Sequence, residues 1–393
     1  MAVRVLRSIL DVSAADWNAL DLHGQPFLRH EFLAALEHTG CAIAGTGWVP
    51  QHLLLLDDSG RLLGAVPLYL KAHSYGEFVF DFSWAQSFDR YFHQAGLRYY
   101  PKLTAAVPFT PATGPRLLTV ERASANIRQA LLAALESLCG ELQVSSAHVL
   151  FAEPEEYRTL IEQDWLPRTS CQFHWFNRNY VDMDDFLATF RADKRKKAKR
   201  ERRRVLEEYG IRYRTFNGAE LDAKQWRTVF SFSQNTFHQH GHEHYLSAAF
   251  FQQVAHTMPD QIMVKLAEHQ GQPVAAAIFF RSHDTLFGRY WGAEYTGGSS
   301  YDSLHFETCY YQGIEYCIEN GLRLFEPGTQ GEHKIARGFE PTLSYSGHYI
   351  AEPRFRAALA DHLTLEREAV DDYLNRMREH IPFHRDAHSP THE

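Results

Sequence analysis

The stretch IMVKLAEHQGQPVAAAIFFRSHDTLFGRYWGAE, residues 262–294, decides the fold class of this chain. Its apolar runs are separated by turns containing Gly, Ser or Asp. They predict three consecutive strands, Ile262–Glu268, Val274–Arg281 and Thr285–Trp291. An earlier stretch, HLLLLDDSGRLLGAVPLYLK at residues 52–71, has the same order of strand, glycine turn and strand. The similarity predicts that one structural unit occurs twice in the chain.

Helices are predicted around both stretches from apolar residues at helical spacing. Two helices precede the strands in each half, at 14–20 and 29–38 and again at 222–237 and 245–258. The other predicted elements are a strand at Phe78–Ala85, an irregular proline-rich segment at Tyr99–Pro115, a helix at Asn126–Gly140, strands at Ala147–Ala152 and Gln172–Tyr180, a helix at Ser303–Asn320 and a strand at Leu322–Phe325. The shared order of elements predicts duplication of one α/β module.

This repeat predicts the domain organisation. We expect an N-terminal domain at residues 1–175 and a C-terminal domain at 176–352, each with a mixed, mostly antiparallel sheet and flanking helices. Apolar residues at helical spacing predict a packing helix at 353–380. The polar end of the chain, 381–393, is predicted to be a disordered tail.

The composition, with 45% hydrophobic and 22% charged residues among 393, is that of a soluble globular protein. No uncharged apolar run approaches the length of a membrane-spanning helix. Residues 1–17, MAVRVLRSILDVSAADW, lack the apolar core of a signal peptide, so we expect a cytoplasmic protein. The five cysteines are scattered without a CxxC pair, which favours reduced thiols over a disulfide frame or a zinc site.

A dense basic segment at residues 191–204 contrasts with the net charge of −8 for the whole chain. Within it only Ala192 and Ala198 are apolar, so a helix here has almost no core-facing stripe. Its like charges repel one another, which favours a bound anion such as a coenzyme phosphate, a tRNA acceptor end or a lipid phosphate. The alternative is a solvated helix. The residues expected to hold donor phosphates are Lys196, Lys197, Arg200 and Arg203.

A second candidate site is the segment EPGTQGEHKIARGFEP, residues 326–341. Its prolines and glycines disfavour a long helix, and loops at strand ends often carry catalytic groups. The preceding helix, LHFETCYYQGIEYCIENG, places His305 and Glu307 near its N-terminus, where a general base and anion-binding amides are expected. The alternative is a simple turn-forming loop beside the polar face of an amphipathic helix.

Other known motifs are absent from the sequence or weak. Four histidines alternate in TFHQHGHEHY and would share a face on a strand, but Gly241 and the flanking helices predict a loop. We therefore expect no metal site at His238, His240, His242 and His244. No Walker loop, GxGxxG after a strand or Ser-His-acid arrangement is found. EYTGGSSYDS, before Leu304, matches the pyrophosphate loop of acetyl-CoA-dependent acetyltransferases only weakly.

These segments together resemble the FemAB-like predicted N-acyltransferases, a bacterial family related to peptidoglycan biosynthesis and placed in the GNAT superfamily. The resemblance extends from about residue 1 to 380. Besides the helix and loop at residues 304–341, it is carried by residues 52–85, YYPKLTAAVPFTPATGPRLL (99–118), FHWFNRNY (173–180) and GRYWGA (288–293). It implies an α/β (α+β) fold of tandem GNAT-like domains of the FemAB type, in agreement with the repeat.

The resemblance also implies chemistry. FemAB-type relatives transfer amino acids from aminoacyl-tRNA to the amine of a peptidoglycan precursor, whereas GNAT enzymes take acyl groups from acyl-CoA. In the FemAB type, a lysine before an aromatic–glycine turn late in the second domain is linked to the transferred carbonyl or the tRNA end. Lys334, followed by Arg337, Gly338 and Phe339, is similar to it. The basic segment resembles the helix that opens their second domain, although it is longer here and the long helical hairpin arm is missing.

We therefore expect amide formation by direct attack of an amine on an activated carbonyl. The donor is acyl-CoA or aminoacyl-tRNA, no cofactor is tightly bound, and the acceptor is an amine-bearing small molecule or envelope precursor. The expected roles are Lys334 and Arg337 for carbonyl or phosphate stabilisation, Glu307, Glu332 or His333 as general base, and His305, Gln330, Glu326 and Tyr311 for substrate binding. The alternative function is a non-catalytic module that binds RNA or an anionic membrane through residues 191–204.

Overall fold

The computed structural model describes residues 1–120, 125–294, 301–329 and 331–384. The chain divides into two compact units, one formed by Met1–Ser170 and Leu343–Asp372 and the other by Cys171–Thr342 and Tyr373–Glu393. The domain boundaries expected from the sequence, at 175/176 and 352/353, stay predictions. No helix in the described ranges is both long enough and apolar enough to cross a membrane.

The strands and helices are as follows. The strands are β1 Ala2–Leu6, β2 Trp48–Pro50, β3 His52–Leu56, β4 Leu62–Val66, β5 Leu68–Lys71, β6 Lys102–Ala105, β7 Leu118–Thr119, β8 Ser146–Ala152, β9 Leu166–Phe176, β10 Arg212–Asn217, β11 Ile262–His269, β12 Gln272–Arg281, β13 Thr285–Ala293, β14 Leu324–Glu326 and β15 Glu340–Ile350. The helices are α1 Ala14–Asn18, α2 His30–His38, α3 Phe82–Phe92, α4 Ala125–Glu141, α5 Pro154–Glu162, α6 Met183–Ala188, α7 Ala192–Arg203, α8 Ala223–Gln239, α9 Ala248–Thr257, α10 Leu304–Phe306, α11 Gln312–Glu319 and α12 Pro353–Arg378.

The first unit contains two sheets. Strands β1, β3, β4 and β7 form an antiparallel sheet in that order. In the second sheet, β8 lies between the final residues of β15 and strand β6, followed by β5 and β2. Strands β6 and β8 are parallel, with α4 in the connection between them, and their other neighbours are antiparallel. The core of this unit is formed by leucine and valine side chains of these strands and of α4.

The second unit contains one sheet in the order β10, β11, β12, β13, β14 and the last residues of β9. The pair β13 and β14 is parallel, and the others are antiparallel. Helix α8 lies so close to β13 that a Cβ atom at Gly292 would be 1.9 Å from the carbonyl oxygen of Phe232. Only glycine therefore fits at this crossing, because it has no side chain.

The α/β class with mostly antiparallel sheets, flanking helices and a long C-terminal helix is confirmed. Two local predictions are wrong. The expected strand Phe78–Ala85 is replaced by α3, whose residues Trp84, Phe88 and Phe92 recur every four positions and are buried, a helical spacing. The proline-rich segment 99–115, expected to be irregular, contains strand β6.

The chain continues to pack after the end of α12. Residues 381–384 of the predicted tail are described, and Phe383 among them is buried, with its ring centroid 5.3 Å from that of Phe190. The amide of Arg191 donates a hydrogen bond to the carbonyl of Pro382 at 2.8 Å. The packed chain therefore extends past residue 380, whereas residues 385–393 lie outside the described ranges.

Candidate active site

The candidate site of the second unit is built on the connection between the parallel strands β13 and β14. This connection contains α10, a wider π turn at Glu307–Tyr311, and α11. The extra residue of a π turn rotates the side chains that follow it, and such turns are frequent at functional sites. Here Glu307, Tyr310 and Tyr311 are all buried.

After β14, the chain forms a short 3-10 helix at Glu332–Arg337 that carries His333, Lys334 and Arg337. A glycine with positive φ lies on each side of it, Gly331 at 105° and Gly338 at 89°. Added Cβ atoms would lie 2.4 Å from the His333 ring and 2.6 Å from the Phe186 ring, respectively. Both the backbone conformation and the available space therefore require glycine at these positions.

Lys334 is buried at the centre of the site. Its Nζ donates hydrogen bonds to the carbonyl oxygens of Gly328 at 2.7 Å and Thr329 at 3.1 Å. Burial lowers the pKa of Lys334 to about 7, because the charged form loses its hydration. The ammonium form is thus held by backbone dipoles and exchanges readily with the neutral amine near neutral pH.

Arg337 is also buried, and its guanidinium group has partners on three sides. It donates to the carboxylate of Glu201 at 2.8 Å and to the His333 carbonyl oxygen at 2.6 Å, and it lies 3.4 Å from the centroid of the Phe306 ring. Tyr311 donates to the same Glu201 carboxylate at 3.0 Å. Glu201 therefore links Arg337 and Tyr311 to helix α7.

Several aromatic and imidazole side chains lie near Lys334. The Nε2 atom of His333 is 2.9 Å from the Tyr310 hydroxyl group, and the rings of His305 and His333 are 6.2 Å apart. The His305 ring also contacts Trp291, at 5.1 Å between centroids. Burial lowers the pKa of His305 to about 4 and, together with the charges of Lys334 and Arg337, lowers that of His333. Both imidazoles are therefore neutral at neutral pH.

Glu307 has a different environment from the one expected. Its carboxylate is fully buried, forms an ion pair with Arg202 at 3.2 Å and accepts a hydrogen bond from Gln312 at 2.9 Å. Arg202 also binds Glu315 at 2.9 Å. Burial raises the pKa of Glu307 against the opposing effect of Arg202. Its contacts are those of a structural ion pair.

Glu332 and Glu326, two further residues expected in the site, have separate environments. Glu332 is exposed and accepts a hydrogen bond from the hydroxyl group of Tyr373 at 2.8 Å. Glu326 is buried at the end of β14; burial lowers the pKa of Arg289, and Tyr290 and the Glu326 carboxylate oppose that shift. Gln330 lies outside the described residues.

The basic helix α7 faces both the core and a surface cavity. Ala198 is buried, and Glu201 and Arg202 point to the contacts described above. On another face lies a cavity of about 740 Å³. Its basic lining residues are Lys196, Lys199, Arg200, Arg202 and Arg203, and its acidic ones are Asp182, Asp184, Glu207 and Glu315. Of the four expected phosphate ligands, the cavity brings three together, and Lys197 is not part of its lining.

The site also contains four residues that are not expected from the sequence: Glu201, Arg202, Phe306 and Tyr310. The sequence offers a signal for Glu201, because it is the single acid among residues 194–204. The contact partners of Glu201 and Arg202 are more than 100 residues away in sequence, so no local pattern could identify them.

Of the four alternating histidines, His238 lies in the last turn of α8, and His240, His242 and His244 lie in the loop that follows. His244 has a structural role, because its Nε2 is 2.9 Å from the Ser233 hydroxyl group, and burial lowers its pKa to about 4. Within the described ranges, no cluster of three or more His, Cys, Asp or Glu side chains could hold a metal ion.

Three solved structures to which this chain is similar are as follows. FemX is 10% identical, with a TM-score of 0.52 over 92% of this chain and all (100%) of that chain. A tandem GNAT protein from the clavulanic acid biosynthesis pathway is 12% identical, with a TM-score of 0.43 over 90% and 99%. The C-terminal domain of a lysylphosphatidylglycerol synthetase from Agrobacterium fabrum is 10% identical, with a TM-score of 0.49 over 87% and 92%. A comparison with curated proteins finds no match.

The FemX similarity agrees with the tandem GNAT-like fold of the FemAB type expected from the sequence, and that fold is confirmed. The sequence model of the FemAB-like family, described as peptidoglycan biosynthesis/recognition, matches residues 8–385. This match covers nearly the whole chain, so the chain belongs to the FemAB-like family.

Proposed function

We propose that this protein is an N-acyltransferase that moves an acyl or aminoacyl group from an activated donor to an amine acceptor. Membership of the FemAB-like family supports a transferase with a role in peptidoglycan biosynthesis or recognition. The finer assignment is that the donor is acyl-CoA or aminoacyl-tRNA and that the acceptor is an amine-bearing small molecule or an envelope precursor. We also propose that the reaction takes place in the cytoplasm.

The geometry of Lys334 carries this proposal. An ammonium group has three N–H donors, and the carbonyls of Gly328 and Thr329 accept from two of them. We assign the third to the carbonyl oxygen of the donor, where negative charge develops during amine attack. Nε of Arg337 is a buried donor without a partner among the described residues, and it supplies a second group for the same oxygen or for a phosphate.

The neighbouring imidazole provides a base. His333 is neutral at neutral pH, and with Nε2–H donating to the oxygen of Tyr310 its Nδ1 can accept a proton. In the proposed step, a new N–C bond forms and the C–S bond of a thioester or the C–O bond of an ester breaks. The proton that leaves the attacking nitrogen passes to His333 and then to the departing thiolate or alkoxide.

The cavity beside α7 supports a phosphate-bearing donor. Lys196 and Arg200 are exposed, one turn apart, and both line the cavity. Coenzyme A and the tRNA acceptor end both carry phosphates, so the cavity fits either donor. His305 and Trp291, which lie against each other near His333, are the proposed contacts of the acceptor.

The first experiment is a thermal-shift comparison of acetyl-CoA, longer acyl-CoAs and charged tRNA, followed by transfer assays with the donor that stabilises the protein. We expect Lys334→Ala to abolish transfer while donor binding and melting temperature change little. Normal turnover by this variant would rule out the assignment of Lys334. Steeply salt-dependent binding of RNA or anionic vesicles without transfer from any donor would instead favour a non-catalytic binding module.

A further inference from the structure

The first unit contains a groove that the proposed reaction does not use. It lies between α3 and the first three turns of α12 and has a volume of about 590 Å³. Its floor is formed by Trp84, Phe92, Phe355 and Leu359. Volumes of this size with an apolar floor and a few polar groups are typical of ligand sites.

The rim of the groove carries basic side chains and no acidic ones. Arg354 and His362 lie on the α12 side, and none of the ten lining residues is acidic. Both basic side chains are mostly exposed, and the Arg354 guanidinium lies 5.1 Å from the centroid of the Phe92 ring. Glu352 and Glu366 pair with them from outside the groove, at 2.8 and 3.7 Å. The groove therefore combines an apolar floor with an arginine at its rim, which complements an amphiphile with an anionic head.

The surface next to the groove exposes aromatic side chains. Tyr91, which lines the groove, is 74% exposed, and Phe80 and Tyr75 are 47% and 65% exposed. Phe82, the first residue of α3, contacts both Phe80 and Tyr75, with centroids 5.5 and 5.4 Å apart. Contiguous exposed apolar groups mark interaction sites, and aromatic rings beside basic residues are typical of proteins that contact the lipid–water interface.

We propose that the groove between α3 and α12 binds the acyl chain of an anionic membrane lipid. The chain lies on Trp84 and Leu359, the lipid phosphate faces Arg354, and the exposed aromatic rings enter the interfacial region of the bilayer. This site is independent of the proposed transferase chemistry, because it uses other residues in the other compact unit.

The test uses the full-length chain and vesicles of phosphatidylglycerol whose acyl chains carry bromine, a quencher of tryptophan fluorescence. Trp84 forms the groove floor, so we expect the Trp84→Phe variant to lose most of the quenching per vesicle-bound protein. In flotation assays, we expect Ala358→Trp, which fills the groove, to lower the bound fraction about tenfold, because binding follows the apolar area buried.

Ala357→Trp is the matched control, since Ala357 is the exposed neighbour of Ala358 on the same helix and does not line the groove. It should bind vesicles like the native chain, and melting curves of both variants exclude unfolding. Equal binding by Ala358→Trp and the native chain, or quenching unchanged by Trp84→Phe, would overturn the proposal. So would a native self-association that Ala358→Trp abolishes, because it would place a second copy in the groove.

Discussion

Lys334 makes the activity of the proposed enzyme depend on pH in a defined direction. Its pKa is lowered to about 7 by burial, and only the ammonium form can donate a third hydrogen bond and a positive charge. His333, whose pKa is lowered below its ordinary value, must be neutral to accept a proton. We therefore predict a bell-shaped profile of kcat/KM, with an acid limb from His333 and a falling limb near pH 7 from Lys334.

The Lys334→Arg variant checks this assignment, because a guanidinium group stays charged throughout the measurable range. Its falling limb should move to higher pH, even where the maximal rate drops. An unchanged falling limb would show that another group is responsible. The measurement needs an acceptor amine whose own pKa is known, so that its titration can be subtracted.

Glu201 contributes to stability through a buried ion pair. Its carboxylate accepts hydrogen bonds from Arg337 and Tyr311. Removing one partner of such a pair leaves a buried charge uncompensated, so we predict that Glu201→Ala lowers the free energy of unfolding by about 3 kcal/mol. Glu208→Ala is the control, because that exposed residue pairs with Arg203 at the surface and should cost under about 0.5 kcal/mol. Urea denaturation followed by circular dichroism measures the free energy of unfolding of both variants. Similar losses of this free energy in Glu201→Ala and Glu208→Ala would contradict the prediction.

At the scale of elements, the sequence predicts the helices and strands whose apolar pattern is contained in one short run of residues. The strands at Ile262–His269 and Gln272–Arg281 follow from alternating or continuous apolar runs between turn residues. Residues 78–85 are predicted as a strand because their aromatic side chains have high strand propensity, whereas Trp84, Phe88 and Phe92 of α3 have helical spacing. In the site, Lys334 is recognisable from the family resemblance, but its carbonyl partners and the Glu201–Arg337 pair are not, since tertiary contacts leave no local pattern.

The contact between α8 and β13 gives a prediction at the same scale. A methyl group at Gly292 would overlap the backbone of Phe232, which cannot move without displacing the helix. We predict that Gly292→Ala destabilises the second unit by about 3 kcal/mol, the upper range for overpacking. Gly140→Ala is the contrast: this glycine is inside α4, its added methyl meets no atom within 4 Å, and the change should stabilise by about 0.5 kcal/mol. Thermal unfolding of the two variants in parallel distinguishes the expected destabilisation by Gly292→Ala from the expected stabilisation by Gly140→Ala.

At the scale of the whole molecule, charge is distributed unevenly. The chain has a net charge of −8, yet residues 191–204 are strongly basic, so electrostatics should favour binding of the donor's phosphates at the surface of α7. The salt dependence of donor binding then reports how many phosphates the protein neutralises. A tRNA donor gives a steep slope of log K against log salt, and a coenzyme donor gives a shallow one.

The double variant Lys196→Ala/Arg200→Ala tests this distribution, because both residues line the cavity and are exposed. For a nucleic-acid donor we predict that the slope becomes shallower by about 1.5, since each lost phosphate contact removes roughly 0.7 to 0.9. Lys224→Ala/Arg227→Ala removes two exposed bases from α8 and should leave the slope unchanged. Equal effects of the two pairs would mean that binding follows net charge alone, whereas an effect confined to the first pair would place the donor phosphates at α7.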